Sequence, residues 1–337
     1  MKTAVVILNY NTADYLQRFL PGLIASCEGL DAQVMVADNA STDNSAALMM
    51  ERFPKVPLRQ LDQNYGFTGG YNRALEDLEA EYYVLINSDI EVPQDWLKPL
   101  VEWMDSHPQC GACGPKLISF SQRDTFEYAG AAGGLLDKYG YPFCRGRIMQ
   151  HVEKDHGQYD QPANVLWVSG ACLLVRASLW KELGGLDERF FAHMEEIDLC
   201  WRMQLRGWKV TLVPQSYVYH IGGGTLPNES PFKLRLNFRN NLLLLENNLP
   251  ATFVAQGLSP RRARQKARRR ILLRMCLDGL SALTFLLTRR WSFYGAVVQA
   301  HREYRQLRRA GNIPPQPKMP EGLYNAWIVP RGLFGKK

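Results

Sequence analysis

Short apolar runs alternate with stretches in which apolar residues recur every three or four positions, and this alternation governs the amino-terminal part of the chain. Thr3–Leu8 (TAVVIL), Val34–Ala37 (VMVA), Leu58–Leu61 and Tyr82–Ile86 (YYVLI) read as strands, the near-continuous apolar ones buried on both faces. Between them the spacing predicts helices over Ala13–Cys27, Ser45–Arg52 and Tyr71–Leu78, with a further helix around Pro93–Trp103. Strands separated by single helices read as right-handed crossovers, so a parallel sheet is expected. From about residue 115 to 165 the pattern weakens into Gly- and Tyr-containing turns, read as an irregular or hairpin excursion. Periodicity returns at Val165–Val175 and Leu179–Leu183. Phe190–Arg206 then reads as helix, Lys209–Val213 as strand, Tyr217–His220 as a short extended piece, and Phe232–Leu249 as a long helix.

In parallel sheets, ligands bind beyond the carboxyl ends of the strands, so the residues after each strand carry the functional information. They are Asn9 and Asn11 after the first, Asp38 and Asn39 after the second, Asn64 to Gly70 (with Gly66 and Gly69) after the third, and Asn87-Ser88-Asp89 after the fourth. Any one of these loops could carry Asn, Asp and Gly for turn geometry alone. Four loops with the same small polar groups favour a polar, phosphate-bearing ligand.

Composition adds limits. A chain of 337 residues, 46% hydrophobic and 22% charged, has the length and apolar content for a large core. No signal peptide is visible, and no apolar run reaches the roughly 18 residues of a spanning helix, so a cytosolic or membrane-surface protein is expected. Cys110 and Cys113 form a lone CxxC with no second pair, which favours reduced structural thiols over a zinc site. The net charge of +7 divides unevenly: residues 1–250 hold 22 Lys/Arg against 30 Asp/Glu, a net −8, and residues 251–337 hold 18 against 3, a net +15. An acidic body with a basic tail implies an anionic partner for the tail.

Three groups can carry chemistry. Asp89 ends an apolar strand, where a carboxylate needs a cation or hydrogen bonds; it can hold Mg²⁺ or Mn²⁺ against a substrate's phosphates or cap the following helix. His220 precedes Gly222-Gly223-Gly224, where backbone can approach a ligand closely; it is either a second metal ligand or a satisfied structural group. Glu195, Glu196 and Asp198 cluster inside an apolar stretch, FFAHMEEIDLCW. Neighbouring helix positions diverge by about 100°, so one can face a cleft while another caps the helix or pairs with Arg202. Like charges nearby raise a carboxyl pKa, which suits a general base.

ILNYN (7–11), VADNASTDNS (36–45), NYGFTGGYNRAL (64–75) and LINSD (85–89) resemble the amino-terminal motifs of family 2 glycosyltransferases. GACLLVRASLWKELGGLDERFFAHMEEIDLCWRMQLRGW (170–208) and the His220 segment resemble the second half of its rhamnosyltransferase-like branch, so the resemblance covers about residues 1–250. It implies an α/β fold of GT-A type, Rossmann-like, with a mostly parallel central sheet flanked by helices. It implies a catalytic domain over 1–230 and a basic helical region over 231–337. Asp38 would contact nucleobase or ribose, with the Asn9–Asn11 and Asn64–Gly70 segments lining the nucleotide pocket. NSD stands where the family often has DxD, making Asp89 the metal carboxylate and His220 its partner. The family's Glu-Asp pair reads Glu195-Glu196 here, so Glu196 takes the base position with a carboxylate moved by about 1.5 Å. The implied reaction is single displacement with inversion: Glu196 deprotonates an acceptor hydroxyl, which attacks the anomeric carbon of a nucleotide-bound sugar. Glu195 or Asp198 holds the acceptor or orients the base, and Gly170 and Ala171 line the acceptor side. The branch points to dTDP-rhamnose, with UDP-sugars next.

Arg261–Arg270 leads into ILLRMCLDGLSALTFLL and Arg289-Arg290-Trp291, a cationic and apolar combination suited to an anionic membrane surface. A peripheral position at the inner face of the cell membrane is expected, with a glycan or lipid-linked acceptor and no nucleic acid as partner. Alternatively, the apolar faces pack on the body or on a second copy, as in a homodimer. Two rivals stand beside the transferase: a nucleic-acid-binding or regulatory protein with a nucleotide-sensing domain, and a sugar-nucleotide-binding pseudoenzyme.

Overall fold

A computed structural model describes residues 1–222 and 230–334. The expected alternation opens the chain: β1 (Thr3–Asn9), α1 (Ala13–Cys27), β2 (Ala32–Asp38), α2 (Ser45–Arg52), β3 (Leu58–Gln60), α3 (Gly66–Leu75) and β4 (Tyr82–Ile86). Then come β5 (Ile90–Glu91), α4 (Leu97–Ser106) and β6 (Cys110–Ser119). The weakly patterned stretch forms short strands β7 (Gly134–Asp137), β8 (Pro142–Cys144), β9 (Arg147–Ile148), β10 (His151–Val152) and β11 (Ala163–Asn164). After it follow β12 (Cys172–Arg176), α5 (Ala177–Leu183), a 3₁₀ turn (Glu188–Phe190), α6 (Glu195–Gln204) and β13 (Lys209–His220). The chain closes with α7 (Pro231–Ala255), α8 (Pro260–Leu287), α9 (Trp291–Leu307), β14 (Leu323–Tyr324) and α10 (Val329–Phe334).

Among the described residues the main sheet runs β11-β13-β6-β12-β4-β1-β2-β3, with β5 on β13. β1 to β4 pair in parallel as expected, whereas β12 runs antiparallel between β4 and β6. Alternate residues of β1 feed opposite faces: Val5 and Ile7 pack with Leu16 and Leu20 of α1, and Ala4 and Val6 with Tyr71 and Ala74 of α3. The second core cluster continues without a break into Leu242–Leu245 of α7 and Ala263, Ala267 and Ile271 of α8. A smaller sheet, β10-β9-β8-β7-β14, joins the excursion to the carboxy-terminal segment.

Several boundaries differ from those the periodicity predicts. α3 starts five residues early, at Gly66, because the glycines belong to the helix and let it press on the sheet: a Cβ on Gly70 would lie 2.7 Å from Leu8 Cδ2. The helix expected from Pro93 begins instead at Leu97. The two pieces expected over 209–220 are one strand, β13, whose register slips between Leu212 and Tyr217, around Pro214, which cannot donate to a ladder. The helix expected over 190–206 is interrupted by Phe191, His193 and Met194 at positive φ. Such conformations cost about 1–3 kcal/mol each and persist only where surroundings dictate them. Here α7 does so: the Asn240 amide donates to the carbonyls of Phe190, Ala192 and His193, and Arg239 donates to that of Phe190.

Cys110 and Cys113 lie buried in β6 as free thiols. No helix among the described residues is long and apolar enough to cross a membrane.

Candidate active site

The strand ends expected to bind nucleotide form one hydrogen-bonded array. Asn9 and Asp38 close neighbouring strands in register, and the Asn9 amide donates to Asp38 Oδ1 (2.7 Å) and Ser41 Oγ (3.0 Å). Thr12 Oγ1 donates to Asn9 Oδ1 (2.5 Å) and meets Ser88 Oγ at 2.8 Å, tying the first loop to the NSD turn. Asn11 accepts from the Thr42 N–H (2.7 Å). Asn39 donates to Asn64 Oδ1 and the Gly66 carbonyl, both at 3.0 Å, and accepts from the Tyr65 N–H. Gly66 sits at φ +68, and a Cβ there would fall 2.5 Å from Phe191; this fixes the start of α3 against the 191–194 loop. Gly69 has the same intolerance, with Tyr65 Cβ 2.9 Å from its missing side chain. The Asn87 N–H donates to the Ala171 carbonyl (2.9 Å), which sets the NSD turn on the β12 approach.

Asp89 and His220 meet at the bottom of this array, 6% exposed each, with Asp89 Oδ1 3.2 Å from His220 Nε2. β13 carries His220 there by pairing it with Ile90 of β5. Burial works to raise the Asp89 pKa, but the hydrogen bond and charge of His220 win and hold it below the ordinary carboxylate value. Burial likewise disfavours the imidazolium of His220, yet Asp89 and Glu127 push it up to about 10. The 3.2 Å spacing is close to the separation of about 3.0 Å between adjacent ligands of a six-coordinate ion with metal–oxygen bonds of about 2.1 Å. One carboxylate and one imidazole leave the remaining positions to phosphate oxygens and water, so the pair fits a divalent cation bound together with a diphosphate. Among the described residues no group of three His, Cys, Asp or Glu makes a metal site by itself.

Glu195 and Glu196 open α6 directly after the strained loop. Burial, with Glu196's charge added, pushes the Glu195 carboxyl well up, and burial raises that of Glu196. Glu195 Oε2, Glu196 Oε2 and His193 Nε2 are inaccessible to water and lack hydrogen-bond partners. Buried polar groups are rarely left so, and three within four residues mark a place where a polar ligand completes the bonding. Gly170 lies against this pair: a Cβ on it would stand 3.5 Å from Glu196 Cβ and 3.4 Å from Phe67 Cζ. Ala171 turns its side chain into the core instead, so of the two residues only Gly170 lies against the pair. Asp198 does not join the site. Two positions on, about 200° round the helix, it is 0% exposed. Its carboxylate is engaged by Arg202 Nε (2.6 Å), Asn247 (2.9 Å) and Asn248 (2.8 Å). The pairing with Arg202 is the alternative the helix spacing left open.

The pattern of the sequence did not reveal Glu127, which is buried beside His220, because it belongs to the stretch without periodicity. Asn240, Asn247 and Asn248 carry a signal in the sequence: amides inside an apolar helical run, LNFRNNLLLLENN, are costly to bury unless they bind something.

The chain is 29% identical over 232 residues to an N-acetylglucosaminyl-diphospho-decaprenol L-rhamnosyltransferase of Mycobacterium tuberculosis, covering 64% of this chain and 75% of that one. It is 23% identical over 236 residues to the rhamnosyltransferase WbbL of Escherichia coli, covering 64% and 82%. The fold resembles that of S. aureus TarS residues 1–349 in complex with UDP, at TM-score 0.52 and 17% identity over 98% of this chain and 99% of that one. It also resembles a mannosyltransferase of Pyrobaculum calidifontis in complex with GDP-Man and Mn²⁺, at TM-score 0.53 and 15% identity over 90% and 87%. The architecture is therefore GT-A, and these relatives give no support to a nucleic-acid-binding reading. The sequence profile described as Glycosyl transferase family 2 matches residues 4–184, more than half of the chain, and the protein belongs to that family.

Proposed function

We propose that this glycosyltransferase moves a sugar from a nucleotide-diphosphate donor, dTDP-rhamnose or a UDP-sugar, to a hydroxyl of a cell-surface glycan or lipid-linked acceptor, with inversion. One observation carries the reading. Gly170 touches Glu196, and Ala171, the next residue, accepts from the backbone of Asn87 in the NSD turn. The candidate base and the candidate phosphate site are thus within reach of one bound sugar.

Asn9, Asn11, Asp38, Asn39, Asn64, Gly66 and Gly69 hold the nucleotide, and Asn87, Ser88 and Asp89 meet the diphosphate. Glu196 accepts the proton of the acceptor hydroxyl at its unpartnered oxygen. Its raised pKa makes it a stronger base than an exposed carboxylate. Glu195, itself pushed up by burial and by the charge of Glu196, orients the acceptor; Asp198 braces α6 against α7. Asp89 and His220 would hold Mg²⁺ or Mn²⁺, which when bound supplies positive charge to the leaving diphosphate. We divide the chain into a catalytic domain, 1–230, and a basic helical region, 231–337, that meets an anionic membrane at its inner face, as a monomer or a homodimer. On α8 the buried positions Ala263, Ala267, Ile271, Arg274, Asp278 and Ala282 form one stripe. Leu272, Leu273, Leu280, Leu283 and Leu287 point to solvent on the other side, followed by exposed Trp291. An outward apolar stripe flanked by arginines suits a lipid surface.

The test is a thermal shift of the purified protein with UDP-, dTDP- and GDP-sugars, with and without Mn²⁺. A ligand at about 100 times its dissociation constant adds roughly 2.7 kcal/mol of stability. Metal-dependent stabilisation by one nucleotide class, lost in Asp89→Ala, is the expected result. Stabilisation by RNA or DNA and by no sugar nucleotide would overturn the reading.

A further inference from the structure

We infer that Glu127 is a positioning residue for His220: its carboxylate accepts from the Nδ1–H of the imidazole and so leaves Nε2 as the free, metal-facing nitrogen. The inference rests on the reading of Asp89 and His220 as the metal pair.

Glu127 is 6% exposed and comes from the excursion between β6 and β7, not from an element that supplies any other site residue. Its two oxygens have different surroundings. Oε2 accepts the Ala129 N–H at 2.6 Å, anchoring the carboxylate on its own turn. Oε1 points the other way, 3.5 Å from His220 Nδ1. That separation is long for a hydrogen bond, and Nδ1 has no other partner among the described residues while being closed to water. A buried ring nitrogen with a single acceptor within reach has its tautomer dictated by that acceptor. The backbone enforces the approach from the far side as well. Gly222, two residues beyond His220 at φ +73, would carry a Cβ only 2.9 Å from Glu127 Oε1, so the chain leaving β13 wraps closely around this oxygen.

His220 therefore lies between two carboxylates, Asp89 at Nε2 and Glu127 at Nδ1. Only one can share a cation with the imidazole. Asp89 belongs to the NSD turn that Thr12 ties to the nucleotide array; Glu127 is held by its own backbone behind the ring. A carboxylate behind a ligating histidine orients the ring and raises its basicity, and losing such a partner weakens metal binding by about 10–100-fold.

The experiment measures Mn²⁺ affinity of the metal-free full chain by electron paramagnetic resonance titration for wild type, Glu127→Gln, Glu127→Leu and His220→Ala. Imidazole ¹⁵N spectra of the Mg²⁺-loaded wild type and Glu127→Gln accompany it. Glu127→Gln keeps the shape and the Ala129 contact and guards against a Leu variant that fails to fold. The inference expects Mn²⁺ affinity to fall about tenfold or more in both Glu127 variants and almost entirely in His220→Ala. It also expects a protonated Nδ1 in wild type and a mixture of tautomers in Glu127→Gln. Wild-type affinity and an unchanged tautomer in Glu127→Gln, with affinity still lost in His220→Ala, would overturn the positioning role while leaving the metal pair intact. Undiminished affinity in His220→Ala would overturn both.

Discussion

Glu195 and Glu196 are adjacent, and each has an oxygen closed to water and without a partner; burial makes both harder to ionise, and the charge of Glu196 adds to this at Glu195. The folded pair holds protons at a pH where the unfolded chain, with Glu near about 4.3, has released them. Folding stability from this pair is therefore complete below the unfolded value and is lost as pH rises through the raised one. Glu195→Gln removes Glu195's share of that dependence and leaves the share of Glu196. It is expected to raise the melting temperature relative to wild type at pH 8 and to leave it nearly unchanged at about pH 4, since each pKa unit corresponds to about 1.4 kcal/mol. An equal change at both pH values would argue that the pair is not strained by ionisation. Asp198 differs from its neighbours in every respect that matters: its carboxylate has three partners and no access to ligand. Asp198→Ala should cost about 1–3 kcal/mol by taking the shared acceptor from Arg202, Asn247 and Asn248, read as a lower denaturation midpoint.

At the scale of elements, the decisive contact is between α7 and the loop before α6. Asn240 serves three carbonyls of that loop with one amide. Asn240→Ala is expected to destabilise by about 1–3 kcal/mol for each acceptor that stays buried and unpaired, and to lower kcat as the base loses its support. An unfolding midpoint and a kcat both at wild-type level would remove α7 from the site. Gly66→Ala tests the opposite wall: a methyl at φ +68 and 2.5 Å from Phe191 should weaken donor binding, measured by calorimetry with the nucleotide. This contact also explains what was legible in the chain. β1, β2 and β4 are buried strands whose apolar runs are local signals, and the polar residues that end them are adjacent in sequence to those runs. The break before Glu195 is not local, because Asn240, which imposes it, is far along the chain. β7 to β11 are two to four residues long and owe their existence to partners, including β14 from the carboxy-terminal end. Glu127 was hidden with them.

Across the whole molecule, charge and apolar surface separate in a way that composition alone does not describe. Residues 251–337 contain three acids, Asp278, Glu303 and Glu321. Two are already used, Asp278 by Arg274 and Glu303 by Arg235 and Arg239. Arg269, Arg270, Arg289 and Arg290 stand at the two ends of an outward leucine stripe on α8, where Leu280 is 62% and Leu287 76% exposed. A second copy of this face would meet it with the same charge, whereas an anionic bilayer meets it with the opposite one. Wild-type protein is expected to sediment with vesicles containing phosphatidylglycerol and not with neutral vesicles. Leu280→Glu with Leu283→Glu should release it without changing donor affinity. Binding that survives this double substitution would place the membrane contact elsewhere, and a wild-type dimer dispersed by it would assign the stripe to self-association.

The central claim is that Glu196 is the base of a sugar transfer whose donor sits on the opposite wall, and it is tested most directly by Glu196→Gln. Sugar transfer and donor dissociation constant are to be measured on the same preparation, with the donor that gives the largest thermal shift. The account predicts a rate lower by about 10²–10⁴ with the donor constant unchanged. Transfer at the wild-type rate in Glu196→Gln would contradict it.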